Sequence, residues 1–288
     1  MDQARHTSTY VGRFAPSPTG DLHFGSLVAA VASFLQARHA KGRWLIRIDD
    51  IDPPREVPGS TIAILRDLDR LGFKSDGQVL YQSTRTEAYR SAVEILLRQE
   101  QAYWCGCTRK DLPASRVYPG TCRNGLATGK SPRAVRLRVD SAIIEFTDLI
   151  QGNIRENLET TTGDFVIQRA DGLPAYQLAV VIDDAYQGIT DVMRGADLLN
   201  STARQIHLQH CLELKSPSYA HIPLAMHGDG KKLGKRYGSD PVASVPPVEA
   251  LFLALKFLGQ SPPQGMELKQ LWAWAIEHWQ AVSIPQSA

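Results

Sequence analysis

The sequence predicts an α/β protein built on a parallel sheet. Two observations predict it. From residue 10 to residue 101, short runs of strand character alternate with longer segments of helical periodicity. The first strand also passes into a helix through a Pro/Gly-rich turn, the layout that puts free backbone N–H groups at the carboxyl edge of such a sheet.

The elements follow in order. Tyr10–Phe14 reads as a strand, and Ser26–Ala40 as a helix with Leu27, Val31, Phe34 and Leu35 on one face. Arg43–Ile48 is a second strand, closed by Asp49, Asp50 and Asp52, and Pro53 and Pro54 then force a loop. Thr61–Leu71 is a helix with Gly72 as its stop, and Tyr89–Gln101 is another. From Cys105 to Gly163 the pattern changes to glycine, proline, arginine and short strands such as Ala134–Val139, which suggests an inserted, β-rich unit. Tyr176–Ile182 reads as an apolar strand ending in Asp183 and Asp184, and Gln187–Met193 as a further strand. Ser201–Leu214 is a helix capped by Ser201 or Asn200. Helices over Val248–Leu258 and Glu267–Trp279 follow, the last with Trp272, Ile276 and Trp279 on one face, a stripe read as packing.

Composition bounds the function. The 288 residues are 43% apolar and 22% charged, with a net charge of +2, so global charge identifies no partner. The distribution is more informative. Gln101–Val139 carries Arg109, Lys110, Arg116, Arg123, Lys130, Arg133, Arg136 and Arg138 against Asp111 alone, a local +7 that suits a phosphate backbone if it is not simply a solvated loop. The first fifteen residues lack the apolar core of a signal peptide, and no apolar run approaches the ~20 residues of a membrane span, so a cytoplasmic protein with no membrane partner is expected. In a reducing compartment, clustered cysteines read as a metal site.

Two stretches carry the chemistry. In Arg13-Phe-Ala-Pro-Ser-Pro-Thr-Gly-Asp-Leu-His-Phe-Gly-Ser26, Gly25 lets a nucleotide approach the backbone with no Cβ in the way, His23 can donate to a phosphate oxygen, and Arg13 can fork onto a carboxylate. Neither GxxxxGK[ST] nor GxGxxG is present there. Gly230-Lys-Lys-Leu-Gly-Lys-Arg236 is a basic loop able to close over a triphosphate.

Together these stretches resemble the signatures of the glutamyl and glutaminyl class I aminoacyl-tRNA synthetases. His23-Phe-Gly-Ser26 stands at the HIGH motif, and Lys232-Leu-Gly-Lys-Arg236 is similar to the KMSKS loop, with Gly234 and Arg236 where serines are usual. The resemblance implies a Rossmann-like catalytic domain over residues 1–104 and 164–240, an inserted zinc-binding, acceptor-contacting subdomain over 105–163, and a short C-terminal helical segment over 241–288. It implies His23 and Lys235 as catalytic groups, and ATP binding by His23, Gly25, Ser26, Lys232 and Lys235, with Mg²⁺ accompanying ATP. It implies a glutamate pocket of Arg13, Ala15, Ser17, Asp49, Tyr176 and Arg194. Asp49, expected to hold the substrate ammonium, replaces the family's usual glutamate and is shorter by one methylene, about 1.5 Å.

Cys105, Cys107 and Cys122 offer three thiolates at a spacing that suits tetrahedral structural zinc, with Tyr118 or water as fourth ligand. The resemblance favours Tyr118. Cys211 stands apart and reads as a small buried apolar residue.

The chain ends about fifty residues after Lys235, with no room for the anticodon-reading region of ordinary glutamyl-tRNA synthetases. It is therefore similar to the shortened glutamyl-queuosine branch of the family. That resemblance implies a monomer that activates L-glutamate with ATP in the absence of tRNA, then transfers it to queuosine at the wobble position of tRNA(Asp). Two alternatives stay open: a short glutamyl-tRNA synthetase charging a tRNA 3′ end, and a silent zinc-containing RNA-binding paralogue.

Overall fold

The strands β1 (Val11–Phe14) and β2 (Arg43–Ile48) pair in parallel, with the helix α1 (Phe24–His39) crossing between them. The computed structural model describes residues 9–112, 117–224 and 241–286. Next come α2 (Ser60–Arg70), β3 (Leu80–Tyr81), α3 (Thr86–Arg98) and β4 (Ala102–Cys105). The middle of the chain holds β5 (Ala134–Leu137), β6 (Ile143–Asp148), β7 (Gly152–Asn157), the one-turn α4 (Leu158–Thr161) and β8 (Phe165–Gln168). Then follow α5 (Tyr176–Tyr186), β9 (Asp191–Gly195), α6 (Leu199–Cys211), β10 (Ser218–Ile222), α7 (Pro247–Phe257) and α8 (Leu268–His278).

Strands β1, β2 and β3 form one parallel group, and β9, β10 and β6 a second, to which β7 adds as an antiparallel edge. Thr190, just before β9, donates its N–H to the Val11 carbonyl at 2.9 Å, so β9 lies beside β1 and the two groups meet edge to edge. A separate antiparallel sheet runs β4-β5-β8. The expected insert over 105–163 thus shares strands with its surroundings: β5 pairs with β4 and β8 on either side of it, while the β6–β7 hairpin joins the parallel sheet.

Helix α1 is covered on nearly all sides, with Leu27, Val28, Val31 and Leu35 at no more than 1% exposure, because the sheet lies beneath it and α7 and α8 pack over it. Phe34, Trp44, Phe73 and Trp272 meet at ring-centroid distances of 5.0–5.5 Å and tie α8 to β2. Trp272 Nε1 donates to the Leu71 carbonyl and Trp279 Nε1 to Gln36 Oε1, so the tryptophan stripe packs as its periodicity suggested.

Three expectations need correction. Tyr176–Ile182 is not a strand but the start of α5. A short apolar run buried all round has no period that separates strand from helix, and here Leu178, Ala179, Val180 and Val181 are all buried. The following strand moves to Asp191–Gly195, because α5 runs on to Tyr186 and Gly188, at φ +65°, turns the chain out of it. Neither Asn200 nor Ser201 caps α6: a 3₁₀ turn over Ala196–Leu198 leads directly into the helix, and the Ser201 hydroxyl instead accepts from Gln177 at 3.1 Å. Among the described residues, no helix is long and apolar enough to cross a membrane.

Candidate active site

The turn after β1, the start of α1, the end of β2, the start of α5 and the ends of β9 and β10 enclose a cleft of about 500 Å³. It lies at the carboxyl ends of the parallel strands, where open α/β sheets bind ligands. Arg13, Ala15, Ser17, His23, Gly25, Ser26, Asp49, Tyr176 and Arg194, singled out from sequence, all line it. Lys232 and Lys235, with the rest of the 230–236 loop, lie outside the described residues.

Helix α1 starts at Phe24, two residues before the sequence-based boundary, which puts His23 at its N-cap with extended backbone (φ −95°, ψ 162°). The His23 side chain makes no capping bond, so it is exposed to the cleft. The first turn of α1, at Phe24, Gly25 and Ser26, lines the same space, and the partial positive charge of a helix start suits a phosphate. A Cβ built on Gly25 meets no described residue within 4 Å, and Gly25 lines the cleft.

The floor is a buried charge network. Arg13 forks onto Asp184, Nε at 3.2 Å and Nη2 at 3.3 Å, and is therefore already engaged with a protein carboxylate. Arg47, fully buried, donates Nε to Asp49 at 2.7 Å and Nη1 to Asp184 at 2.5 Å. Burial drives the Asp184 carboxyl upward, but the Arg13 and Arg47 charges outweigh it and hold the group below the usual carboxylate range. At Asp49 the balance reverses: burial dominates over Arg47 and raises it. Sequence reasoning missed Arg47 and Asp184. The signal was present, since an arginine inside an apolar strand and two acids closing an apolar run each require buried partners.

Arg194 differs from Arg13. It is buried at 4% exposure with no carboxylate in contact among the described residues. Its Nε donates to His221 Nε2 at 3.0 Å and its Nη2 to Thr202 Oγ1 at 2.9 Å, while Nη1 is buried with no hydrogen-bond partner among the described residues. Desolvation lowers its pKa. A buried guanidinium with a spare donor facing a cleft is a site for a substrate carboxylate.

The cysteines meet away from this cleft. Cys105, Cys107 and Cys122 Sγ atoms lie within 4.8 Å of one another and could hold a metal ion. Cys107 and Cys122 sulfurs are 3.6 Å apart, and Tyr118 Oη is 3.4 Å from Cys105 and 3.5 Å from Cys107. A tetrahedral zinc with ordinary bond lengths requires sulfur–sulfur edges of about 3.8 Å and sulfur–oxygen edges of about 3.5 Å. The residues therefore fit zinc. Arg136 stacks over the Tyr118 ring at 3.8 Å and donates to Cys105 Sγ at 3.4 Å. Cys211 is separate, half-buried, its thiol pushed up to about 11 by burial.

The basic segment is less free than its composition suggested. Arg136 is buried, Arg123 forks onto Asp164, and Lys130 pairs with Asp111. Arg116 lies outside the described residues, and Arg109, Lys110 and Arg133 are exposed.

Fold, cleft and helix start together define the catalytic unit of a class I tRNA synthetase. The family model "tRNA synthetases class I (E and Q), catalytic domain" matches residues 10–120 and 118–267. A protein of Aromatoleum aromaticum named glutamyl-Q tRNA(Asp) synthetase is 53% identical over 96% of this chain and 91% of its own length. A protein of the same name from Pseudomonas aeruginosa is 53% identical over 98% of this chain and 97% of its own. The glutamate-tRNA synthetase structure from Elizabethkingia anophelis superposes with a TM-score of 0.82 at 26% identity, covering 98% of this chain and 68% of that one. The chain belongs to the family of glutamyl-Q tRNA(Asp) synthetases within class I.

Proposed function

We propose that this protein is a ligase that activates L-glutamate with ATP, without tRNA, and transfers it to queuosine of tRNA(Asp). The supporting observation is the free Nη1 of Arg194 in a cleft shared with His23 and Gly25, in a chain 53% identical to glutamyl-Q tRNA(Asp) synthetases over nearly its full length. In the first step a carboxylate oxygen of glutamate attacks the α-phosphorus of ATP and pyrophosphate leaves. In the second a queuosine hydroxyl attacks the adenylate's carbonyl, loses its proton, and AMP departs. His23 and the α1 N-terminus hold the phosphates, with Lys235 and Lys232 completing the ATP site. Arg194, Arg13 and Asp49 orient glutamate, beside Ala15, Ser17 and Tyr176. The chemistry needs no protein nucleophile, and positioning carries it.

Zinc, held by Cys105, Cys107, Cys122 and Tyr118, is structural and cross-links a segment otherwise too polar to fold by burial. Mg²⁺ enters with ATP. Residues 1–104 and 164–240 act as the catalytic unit, 105–163 faces the tRNA, and the helices after residue 241 support α1. The enzyme works in the cytoplasm as a monomer.

ATP–pyrophosphate exchange with each amino acid in turn, in the absence of tRNA, tests this reading. Exchange with glutamate alone, followed by glutamate transfer to queuosine-containing tRNA(Asp) but not to the same tRNA lacking queuosine, is expected. Transfer to queuosine-lacking tRNA, lost when the terminal adenosine is altered, would instead identify an enzyme charging the 3′ end.

A further inference from the structure

We infer that His221 and Asp148 are positioning residues that orient Arg194 in the cleft while leaving its charge uncompensated for an anionic substrate group. The inference rests on the proposed activation of glutamate.

The three residues form a line across three neighbouring strands. Arg194 on β9 stands in register with His221 on β10, and Asp148 closes β6 on the far side. His221 and Asp148 are at most 1% exposed. Arg194 Nε always carries a hydrogen, so the His221 Nε2 that receives it at 3.0 Å has to be the bare acceptor. The ring proton then sits on Nδ1, which donates to Asp148 Oδ2 at 2.6 Å. Asp148 is itself fixed: its Oδ1 accepts the backbone N–H groups of Ile150, Gln151 and His221 at 2.9–3.1 Å.

The consequence is electrostatic. Arg13 and Arg47 meet carboxylates directly, so their charges are largely spent inside the protein. Arg194 is held just as firmly, but by a neutral imidazole and the Thr202 hydroxyl. The nearest carboxylate along this line is one ring away, so orientation is transmitted without contact neutralisation. A carboxylate at position 221 would hold the guanidinium equally well and remove the reason for an anion to bind it. The unpartnered Nη1 marks where that anion arrives.

The test begins with Michaelis constants for glutamate and ATP from pyrophosphate exchange by the wild-type enzyme. His221→Leu is expected to raise KM for glutamate at least tenfold while KM for ATP stays within twofold. His221→Gln, which keeps an acceptor toward Arg194, is expected to recover most of that loss. Equal rises in both constants, or an unchanged glutamate constant in a folded variant, overturn the inference. Should His221→Leu not fold, ¹⁵N spectra of histidine-labelled wild-type protein at pH 7 decide, with the His221 signals assigned by their absence in His221→Gln. A neutral Nδ1–H ring is expected, and a proton on Nε2 overturns the relay. If the wild type exchanges with no amino acid, the proposed function fails, and the ring tautomer still judges the relay by itself.

Discussion

Arg13 and Asp184 meet through two parallel hydrogen bonds, 171 positions apart in sequence, and Arg47 reaches the same carboxylate from the neighbouring strand. That one buried carboxylate therefore contacts two buried cations at the floor of the cleft, one of which, Arg47, also holds Asp49. Removing the Asp184 charge leaves uncompensated charge, which costs about 3–5 kcal/mol. Asp184→Asn is expected to lose that much in urea unfolding, whereas Asp171→Asn, exposed at the surface, is expected to change stability by less than about 0.5 kcal/mol. Equal stability of the two variants would sink this account of the floor.

Stability is expected to fall as pH drops below about 6.5. Burial lowers the pKa of both His207 and His221, so the folded protein keeps them neutral while the unfolded chain binds protons there. Their contribution is complete above the unfolded pKa and declines as pH falls below it, by up to about 1.4 kcal/mol per histidine per pH unit. A second decline is expected below about pH 4, where the unfolded chain takes up protons at Asp148, Asp164 and Asp184 while the folded state holds these groups lower. Urea midpoints measured from pH 8 to pH 3 check both steps, and a flat profile between pH 7.5 and 5.5 contradicts the first.

Asp49 lines the cleft and is the acid proposed to hold the substrate ammonium, and Arg47 already donates to one of its oxygens at 2.7 Å. A charge-assisted hydrogen bond from a substrate ammonium contributes about 1.5–3 kcal/mol. Asp49→Asn should therefore raise KM for glutamate by roughly ten- to a hundredfold, with little change for ATP. Exchange kinetics at varied glutamate and ATP measure the split, and a purely kcat effect would count against the assignment.

Tyr118 owes its place to Gly163. The two residues form a β-bridge, and a Cβ on Gly163 would lie 2.3 Å from the Tyr118 carbonyl oxygen, with φ at +65° besides. Gly163→Ala is expected to displace Tyr118 from the three thiols and loosen the metal. Wild-type protein purified without chelator should carry one zinc per chain by mass spectrometry. The variant should give up its zinc at lower chelator concentration, as should Cys122→Ser. A metal-free wild type would remove the zinc assignment altogether.

Legibility from sequence depended on the range of the interaction. The β1–α1–β2 unit was readable because its signals are local: an apolar run, a Pro/Gly turn, a strand ending in acids. The part of the cleft lining from Arg13 to Ser26 was readable for the same reason, being one contiguous stretch, whereas Asp49, Tyr176 and Arg194 came from the family resemblance. Helix α5 was misread because Leu178 to Val181 are buried on every side, which erases the period that would separate helix from strand. The partners of Arg47 and Arg194 were invisible for a different reason. Asp184 comes to Arg47 from helix α5 and His221 to Arg194 across the β9–β10 register, and no spacing in the chain encodes either pairing.

Gly25 offers a clean separation of stability from function. It sits in the first turn of α1, outside the left-handed region, and an added Cβ would meet no atom of the described residues within 4 Å. Alanine there should be neutral to mildly stabilising, by up to about 1 kcal/mol, because it lowers the entropy lost on folding. The same methyl would project into the cleft where the backbone is expected to face ATP. Gly25→Ala is therefore expected to melt no lower than wild type while raising KM for ATP several-fold, and a valine should raise it further. Unchanged ATP kinetics in a folded Gly25→Val variant would place the nucleotide elsewhere in the cleft.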